Sequence, residues 1–179
     1  MKETNPSYWR LLSLIAICLA FTTHSHGQEE SKHAQWTHLV KKLTQQAWKT
    51  DSSFKTGSGG GWRYLYTTSK TTDTLYLNID KANQKNWRQF RFSWDEKQQT
   101  VLVTGRDAVG NIYEGECGKI TPYEMSYDLL DPEVKSVPSY LRFNLSITAG
   151  NIFIRSYKQQ EDKWLFTGEL QLIASPMHP

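Results

Sequence analysis

The chain has 179 residues, of which 38% are hydrophobic and 13% aromatic, and this composition excludes a disordered polymer and predicts one folded domain. A formal net charge of +3 lacks the strong basic excess that is typical of nucleic-acid binders, so we expect no nucleic-acid partner.

The pattern of charge and hydropathy over residues 1–27 predicts a secretory signal peptide. Basic residues flank the polar start, and an uncharged apolar run follows at 11–21, too short for the roughly 20 apolar residues that span a bilayer. The small residues Ser25 and Gly27 predict cleavage after Gly27. We therefore expect an exported protein, periplasmic or extracellular, that keeps no stable membrane span after cleavage.

Two alternatives to a cleaved signal remain open. The apolar run could stay attached as an N-terminal anchor. Cys18 could instead be lipidated, although the residue before a lipidated cysteine is usually small and Ile17 is not. After cleavage Cys117 is the remaining cysteine, so an internal disulfide is excluded in the mature chain.

Residues 28–56 form a predicted N-terminal helical segment. Within 32–50 the apolar residues repeat at helical spacing and mark one face of an amphipathic helix: Trp36, Leu39, Val40, Leu43, Ala47 and Trp48. We expect this helix to pack on the rest of the domain, with a protein partner or a membrane surface as the alternative. The glycine-rich residues 57–61 predict a hinge, since no Lys-Ser or Lys-Thr pair follows as in a phosphate-binding loop.

Residues 62–174 change to the period of two that is typical of half-buried strands. Short polar turns such as 109–111 and 149–151 separate the alternating runs, which favours an antiparallel meander. We predict a mainly β fold, an antiparallel up-and-down barrel of about eight to ten strands with one N-terminal amphipathic helix. The proline-containing segment 128–139 is a predicted loop at a barrel mouth, and residues 175–179 are a tail.

The aromatic side chains of the alternating runs are the strongest functional signal. On one face of each run they would line the interior of a closed barrel, where they either bind a small hydrophobic ligand or fill the space themselves. The predicted ligand-binding set is Trp62, Tyr64, Tyr66, Phe90, Phe92, Trp94, Tyr123, Tyr127, Phe143, Trp164 and Phe166. Arg63, Arg91 and Arg142 are predicted anchors near the rim.

Glutamate, cysteine and histidine give weaker evidence for a catalytic or metal site. Glu114 and Glu116 share a strand face, but that face lies opposite Tyr113 and Cys117, so solvent exposure is favoured over acid–base catalysis. Cys117 has no histidine near it in sequence to activate the thiol. The histidines outside the signal are not spaced as a helical metal pair. We predict no catalytic residue, no metal site and no cofactor.

The order of elements resembles the calycin superfamily of lipocalin-like barrels. A helix precedes Gly60-x-Trp62 at the first strand, and the stretch from Trp87 to Gly118 is similar to small bacterial lipocalin-like proteins of the uncharacterised DUF1579 type. The arginine that typical lipocalins carry after the last strand is absent here. The resemblance implies an interior that holds a small apolar ligand or is filled by side chains.

We therefore expect a secreted or periplasmic lipocalin-like protein that binds a small hydrophobic molecule in its barrel. Two other functions remain open. One is an envelope interaction or scaffold protein with a filled barrel, which would meet a protein partner through residues 32–50 or 128–139. The other is a hydrolase or isomerase with acidic residues at the barrel mouth.

Overall fold

The structure is a computed structural model that describes residues 30–50, 63–69, 71, 73–80, 87–131 and 139–175. The chain divides into two units, Met1–Ser31 and Lys32–Pro179, and every element described below belongs to the second unit. The predicted signal peptide, the glycine-rich hinge at 57–61, Trp62 and residues 176–179 lie outside the described residues.

Within the described residues, the second unit contains one helix and ten strands. The helix, α1, spans Lys32–Thr44. The strands are β1 (Ala47–Thr50), β2 (Arg63–Thr68), β3 (Thr74–Asp80), β4 (Trp87–Asp95), β5 (Thr100–Asp107), β6 (Ile112–Ile120), β7 (Glu124–Leu130), β8 (Tyr140–Thr148), β9 (Asn151–Gln160) and β10 (Lys163–Ser175). Among the described residues no helix is long and apolar enough to cross a bilayer.

The ten strands form a closed antiparallel barrel. Each strand pairs with the next strand in sequence, and β1 pairs with both β10 and β2, so the sheet formed by these described strands has no free edge. The predicted fold class is confirmed: a mainly β, up-and-down barrel with a strand count inside the expected range and one helix on the N-terminal side. Alternating inward side chains of the strands form the core.

The predicted helix over 32–50 is too long. The helix ends at Thr44, and residues 47–50 form β1 instead. Trp48 is buried as predicted, although it lies in β1 and not in the helix. Its indole N–H donates to the carbonyl of Leu43 at 3.0 Å. That bond satisfies a carbonyl that the end of the helix leaves without a helical partner, and it fixes the turn into β1. The barrel therefore begins at residue 47 rather than at residue 62.

Helix α1 packs against one end of the barrel. Its apolar stripe is fully buried, and the helix contacts β2 and β6, which are well separated around the barrel. His33 lies against the ring of Trp94, where β4 ends, with ring centroids 4.9 Å apart. The Lys42 ammonium lies 4.3 Å from the ring centroid of Tyr123, between β6 and β7. We call this end of the barrel the helix end and the opposite end the far end.

Tight turns and one close approach depend on small residues. Ala149 and Gly150 form the two-residue connection of β8 and β9, both with positive φ, as such hairpins require. Gly115 lies where β6 approaches β7, and a Cβ there would come within 1.7 Å of the Asp128 carbonyl oxygen. A side chain at Gly115 would therefore separate these two strands.

The segment 128–139, predicted as a loop, is partly strand. Residues 128–130 complete β7, whose inner and outer side chains continue to alternate. Beyond the strand, the Asp131 amide donates to the Ser139 carbonyl at 2.8 Å, and this bond continues the pairing of β7 with β8. Residues 132–138, with Pro132 and Pro138, lie outside the described residues.

Candidate functional site

A cavity of about 570 Å³ lies inside the far-end half of the barrel. Its volume is within the range of roughly 300–1,000 Å³ that is typical of small-molecule sites. Seven strands contribute to its wall: β2, β3, β4, β7, β8, β9 and β10. The lining residues are Tyr64, Leu77, Ile79, Trp87, Phe90, Tyr127, Leu141, Phe143, Ile154, Ser156, Tyr157, Thr167, Gly168, Glu169 and Leu170.

An aromatic cluster forms one wall of the cavity. The Trp87 ring lies 4.8 Å from Phe90 and 5.7 Å from Phe143, and Tyr127 stacks on Phe143 at 5.2 Å. Gly105 makes room for this arrangement, because a Cβ there would lie 2.8 Å from the Trp87 ring. The cluster gives the cavity a rigid, apolar surface with tilted and edge-on ring contacts, which aromatic side chains favour.

A β-bulge shapes the opposite wall. The register of β9 and β10 shifts between Phe166 and Gly168, which leaves Thr167 without a ladder partner. The Thr167 hydroxyl donates to Ser156 Oγ at 2.9 Å, and Ser156 Oγ donates to the Gly168 carbonyl at 3.2 Å. Gly168 adds no side chain to the wall, so the bulge provides both open volume and hydroxyl groups beside the cavity.

The tyrosine hydroxyls of the cavity wall are neutral at physiological pH. Burial raises the pKa of Tyr64 and of Tyr127 well above the ordinary tyrosine value, so both hydroxyls stay protonated. Glu169 carries a charge among the lining residues, but its carboxylate pairs with Arg155. The cavity can therefore offer neutral hydroxyl groups to a ligand within a largely apolar surface.

An ion pair with a buried carboxylate and a half-exposed lysine lies beyond the cavity toward the far end. Asp131 is buried, and its carboxylate lies 3.1 Å from the Lys158 ammonium. The Ser139 hydroxyl donates to the Gln159 carbonyl at 3.1 Å in the same region. These contacts fix the ends of β7, β8 and β9 next to the cavity.

Several of the predicted interior aromatics do face inward. Tyr64, Phe90, Tyr127 and Phe143 line the cavity. Tyr66, Phe92 and Trp94 are also buried but lie closer to the helix end, where side chains fill the barrel. The barrel is thus filled at one end and hollow at the other, a combination of the two interiors that the sequence left open. Ligand binding by these residues remains a prediction.

The other predicted interior aromatics were placed on the wrong face. Tyr123 is 54% exposed and lies just before β7 begins. Phe166 is 59% exposed, and its ring centroid lies 5.7 Å from that of Tyr157. Trp164 shares the face of Phe166 on β10 and lies under the Arg142 guanidinium, 4.1 Å from its ring centroid. The bulge explains the error on β10, because it reverses the alternation between Phe166 and Leu170.

Two of the three predicted rim anchors, Arg91 and Arg142, do not point into the cavity. Arg91 is exposed between the buried residues Phe90 and Phe92, so it lies on the outer face, where it donates to the Ser93 hydroxyl. Arg142 also lies on the outer face and donates both of its bonds to the Asp128 carboxylate at 2.7 Å. Hydrogen bonding to Asp128 raises the pKa of Arg142. The side chain of Arg63 lies outside the described residues.

Part of the cavity wall was missed by the prediction. Leu77, Ile79 and Leu141 alternate with polar neighbours in the sequence, so the period of two could have identified them as lining residues. Trp87 begins its strand, where no alternation precedes it. Thr167 and Gly168 line the cavity because of the bulge, and a bulge leaves no reliable pattern in a single sequence.

Among the described residues, the chemically reactive types are not assembled into a site. Glu114 and Glu116 are exposed on the outer face of β6, as predicted from their alternation with Tyr113 and Cys117. The Cys117 thiol is buried, and this burial raises its pKa. In the part of the chain that the structure describes, no group of three or more His, Cys, Asp and Glu side chains could hold a metal ion.

The candidate site is thus an apolar cavity inside a closed barrel, and its inner surface combines aromatic rings with neutral hydroxyls. Comparison of the chain with protein-family models and with curated proteins gave no match.

Proposed function

We propose that this protein is an exported, lipocalin-like carrier or sensor that binds one small hydrophobic molecule in the far-end cavity. The observation that carries the proposal is the cavity of about 570 Å³ with its mostly apolar wall. A barrel whose only role was structural would gain stability by filling this space, since empty apolar volume costs packing energy. The resemblance to lipocalin-like barrels supports the same interpretation.

The wall chemistry indicates the kind of ligand. The aromatic cluster around Trp87 favours an apolar body, and the hydroxyls of Ser156 and Thr167 favour a neutral polar group at one end. A strongly charged group would lose hydration without gaining an opposite charge, because Glu169 is already paired with Arg155. The expected ligand is therefore an acyl, isoprenoid or aromatic molecule with one uncharged hydrogen-bonding end.

A bulky residue at Gly168 tests this proposal. Gly168 lies on the inner face of β10, and a Cβ at this position would have Ser156 Oγ as its nearest atom, at 3.7 Å, so a side chain can enter the cavity. We expect Gly168→Phe to lower the affinity for the fluorescent apolar probe N-phenyl-1-naphthylamine by about tenfold or more, since the ring occupies the ligand volume. Fluorescence titration measures the affinity.

Gly118 provides the matched control. It lies at the register shift between β6 and β7, outside the cavity lining, and its Cβ would also meet only a serine hydroxyl, Ser126 Oγ at 3.7 Å. Gly118→Phe should bind the probe as the wild type does. The proposal fails if the wild type does not bind the probe, or if both phenylalanine variants bind it equally well.

A further inference from the structure

Exposed apolar side chains concentrate at the far end of the barrel. They lie in or beside three connections at that end, those of β5 to β6, β7 to β8 and β9 to β10. Each is between 40% and 73% exposed. We call this set the far-end rim: Val109, Ile112, Leu130, Tyr140, Leu165 and Phe166.

The rest of the described surface has fewer such residues. Tyr123 is exposed at the helix end, and it lies beside Lys42. Leu65 and Leu102 are exposed on the side wall. Burial of apolar surface from water is favourable, so a concentration of exposed apolar side chains at one end marks an interaction surface.

The shape of the rim favours a flat, fluid partner. Its residues lie in or beside three separate connections between strands β5 and β10, which are six of the ten strands, rather than along one groove or one sheet face. The apolar cavity lies inside the same end of the barrel. Tyr140 and Trp164, which directly precedes Leu165 on β10, have the apolar body and polar tip that suit the boundary between lipid and water.

Exposed charges of both signs lie at the far end: Glu161 and Asp162 in the turn between β9 and β10, next to Lys163, and the arginines Arg88 and Arg106. Arg106 is exposed and lies opposite Ile112 in the ladder of β5 and β6, and Arg88 is exposed on β4. Neither forms an ion pair with another described residue, whereas the nearby Asp131 is already paired with Lys158. Two guanidinium groups beside exposed apolar side chains would meet lipid phosphates.

We propose that the far-end rim docks on the surface of a phospholipid bilayer, with the barrel remaining outside the hydrocarbon core. The rim residues insert at the level of the headgroups, and Arg88 and Arg106 contact lipid phosphates. This inference goes beyond ligand binding in the cavity, and it supplies a route by which an apolar ligand passes between the bilayer and the cavity without crossing water.

Vesicle flotation of the full protein tests the docking. The vesicles contain phosphatidylcholine and phosphatidylglycerol in a two-to-one ratio, or phosphatidylcholine alone. We expect the triple variant Val109→Ser, Leu165→Ser and Phe166→Ser to bind the mixed vesicles about tenfold more weakly than the wild type, because it loses the inserted apolar area. All three positions are exposed, so the fold should be retained.

A second triple variant serves as the matched control. It carries Leu65→Ser, Leu102→Ser and Tyr123→Ser, which remove exposed apolar side chains elsewhere, and it should bind vesicles as the wild type does. The double variant Arg88→Gln and Arg106→Gln should lose affinity for the mixed vesicles and keep that for phosphatidylcholine alone.

Three outcomes would overturn the docking proposal. The first is that the wild type floats with neither kind of vesicle, and the second is that the two triple variants bind vesicles equally well. The third is that the rim substitutions only convert a dimer to a monomer, which would assign the rim to contact with a second copy of the chain. The docking proposal and the ligand-binding proposal can fail independently, since Gly168→Phe should bind the fluorescent probe more weakly and still float with the vesicles.

Discussion

Asp107 shows how one carboxylate organises a connection at the far end. Its Oδ1 accepts the backbone N–H groups of Val109, Gly110 and Asn111 at 2.8–3.0 Å, and its Oδ2 accepts the Tyr113 hydroxyl at 3.3 Å. Partial desolvation raises the pKa of this carboxyl, but the hydrogen bonds from Asn111 and its neighbours outweigh that effect and hold the pKa below the ordinary value. The same turn positions Val109 on the rim.

Replacing this carboxylate should make stability depend differently on pH. At pH 7 we expect Asp107→Asn to cost about 1 kcal/mol of unfolding free energy. Because the folded pKa is depressed, the contribution is present above the unfolded pKa of about 4 and is lost as the pH falls through the folded pKa. Urea denaturation from pH 7 to pH 2.5 measures the unfolding free energy of both proteins. The two free energies should begin to converge as the pH falls below about 4. A difference in unfolding free energy that stayed constant over this pH range would show that the ionised Asp107 carboxylate does not stabilise the turn.

Individual residues were predictable where alternation was uninterrupted. The outward direction of Glu114 and Glu116 and the turn at 109–111 followed from the sequence, because each depends on neighbours within a few residues. The outward direction of Phe166 could not be predicted, since it depends on how β10 slips against β9. Sequence patterns are local, whereas a bulge is decided by the pairing of two strands.

Helix α1 packs against the end of the barrel that side chains fill. Trp36 on its buried face is fully inaccessible, and its indole N–H finds no acceptor among the described residues. The side chain therefore contributes through its apolar volume rather than through a hydrogen bond. The period of the sequence identified this face correctly but extended it into β1, because Ala47 and Trp48 also fit the helical spacing.

Substitutions at Trp36 test its packing role. We expect Trp36→Ala to cost about 3–5 kcal/mol of unfolding free energy, because it leaves a cavity under the helix. Trp36→Phe should cost only about 1–2 kcal/mol, because no hydrogen bond is lost. Lys41→Ala on the exposed face of α1 should change stability by less than about 0.5 kcal/mol. Equal losses for the alanine and phenylalanine variants in urea denaturation would show that the indole N–H has a partner.

For the whole molecule, the barrel was predictable and the cavity was not. Alternating runs joined by short turns leave few topologies other than a meander, and closure removes its edges. The cavity depends instead on the difference between the volume that ten strands enclose and the volume that their side chains occupy. Gly105, Gly168 and the tilt of Trp87 decide that difference, and none of them changes the hydrophobic pattern.

The most direct test of the carrier proposal is native mass spectrometry of the protein purified from its own host, followed by solvent extraction. The account predicts one bound apolar molecule per chain in the wild type and in Gly118→Phe, and a much lower occupancy in Gly168→Phe, whose side chain enters the cavity. A wild type that is empty as purified, or a molecule retained at the same occupancy in Gly168→Phe, would contradict ligand binding in the far-end cavity.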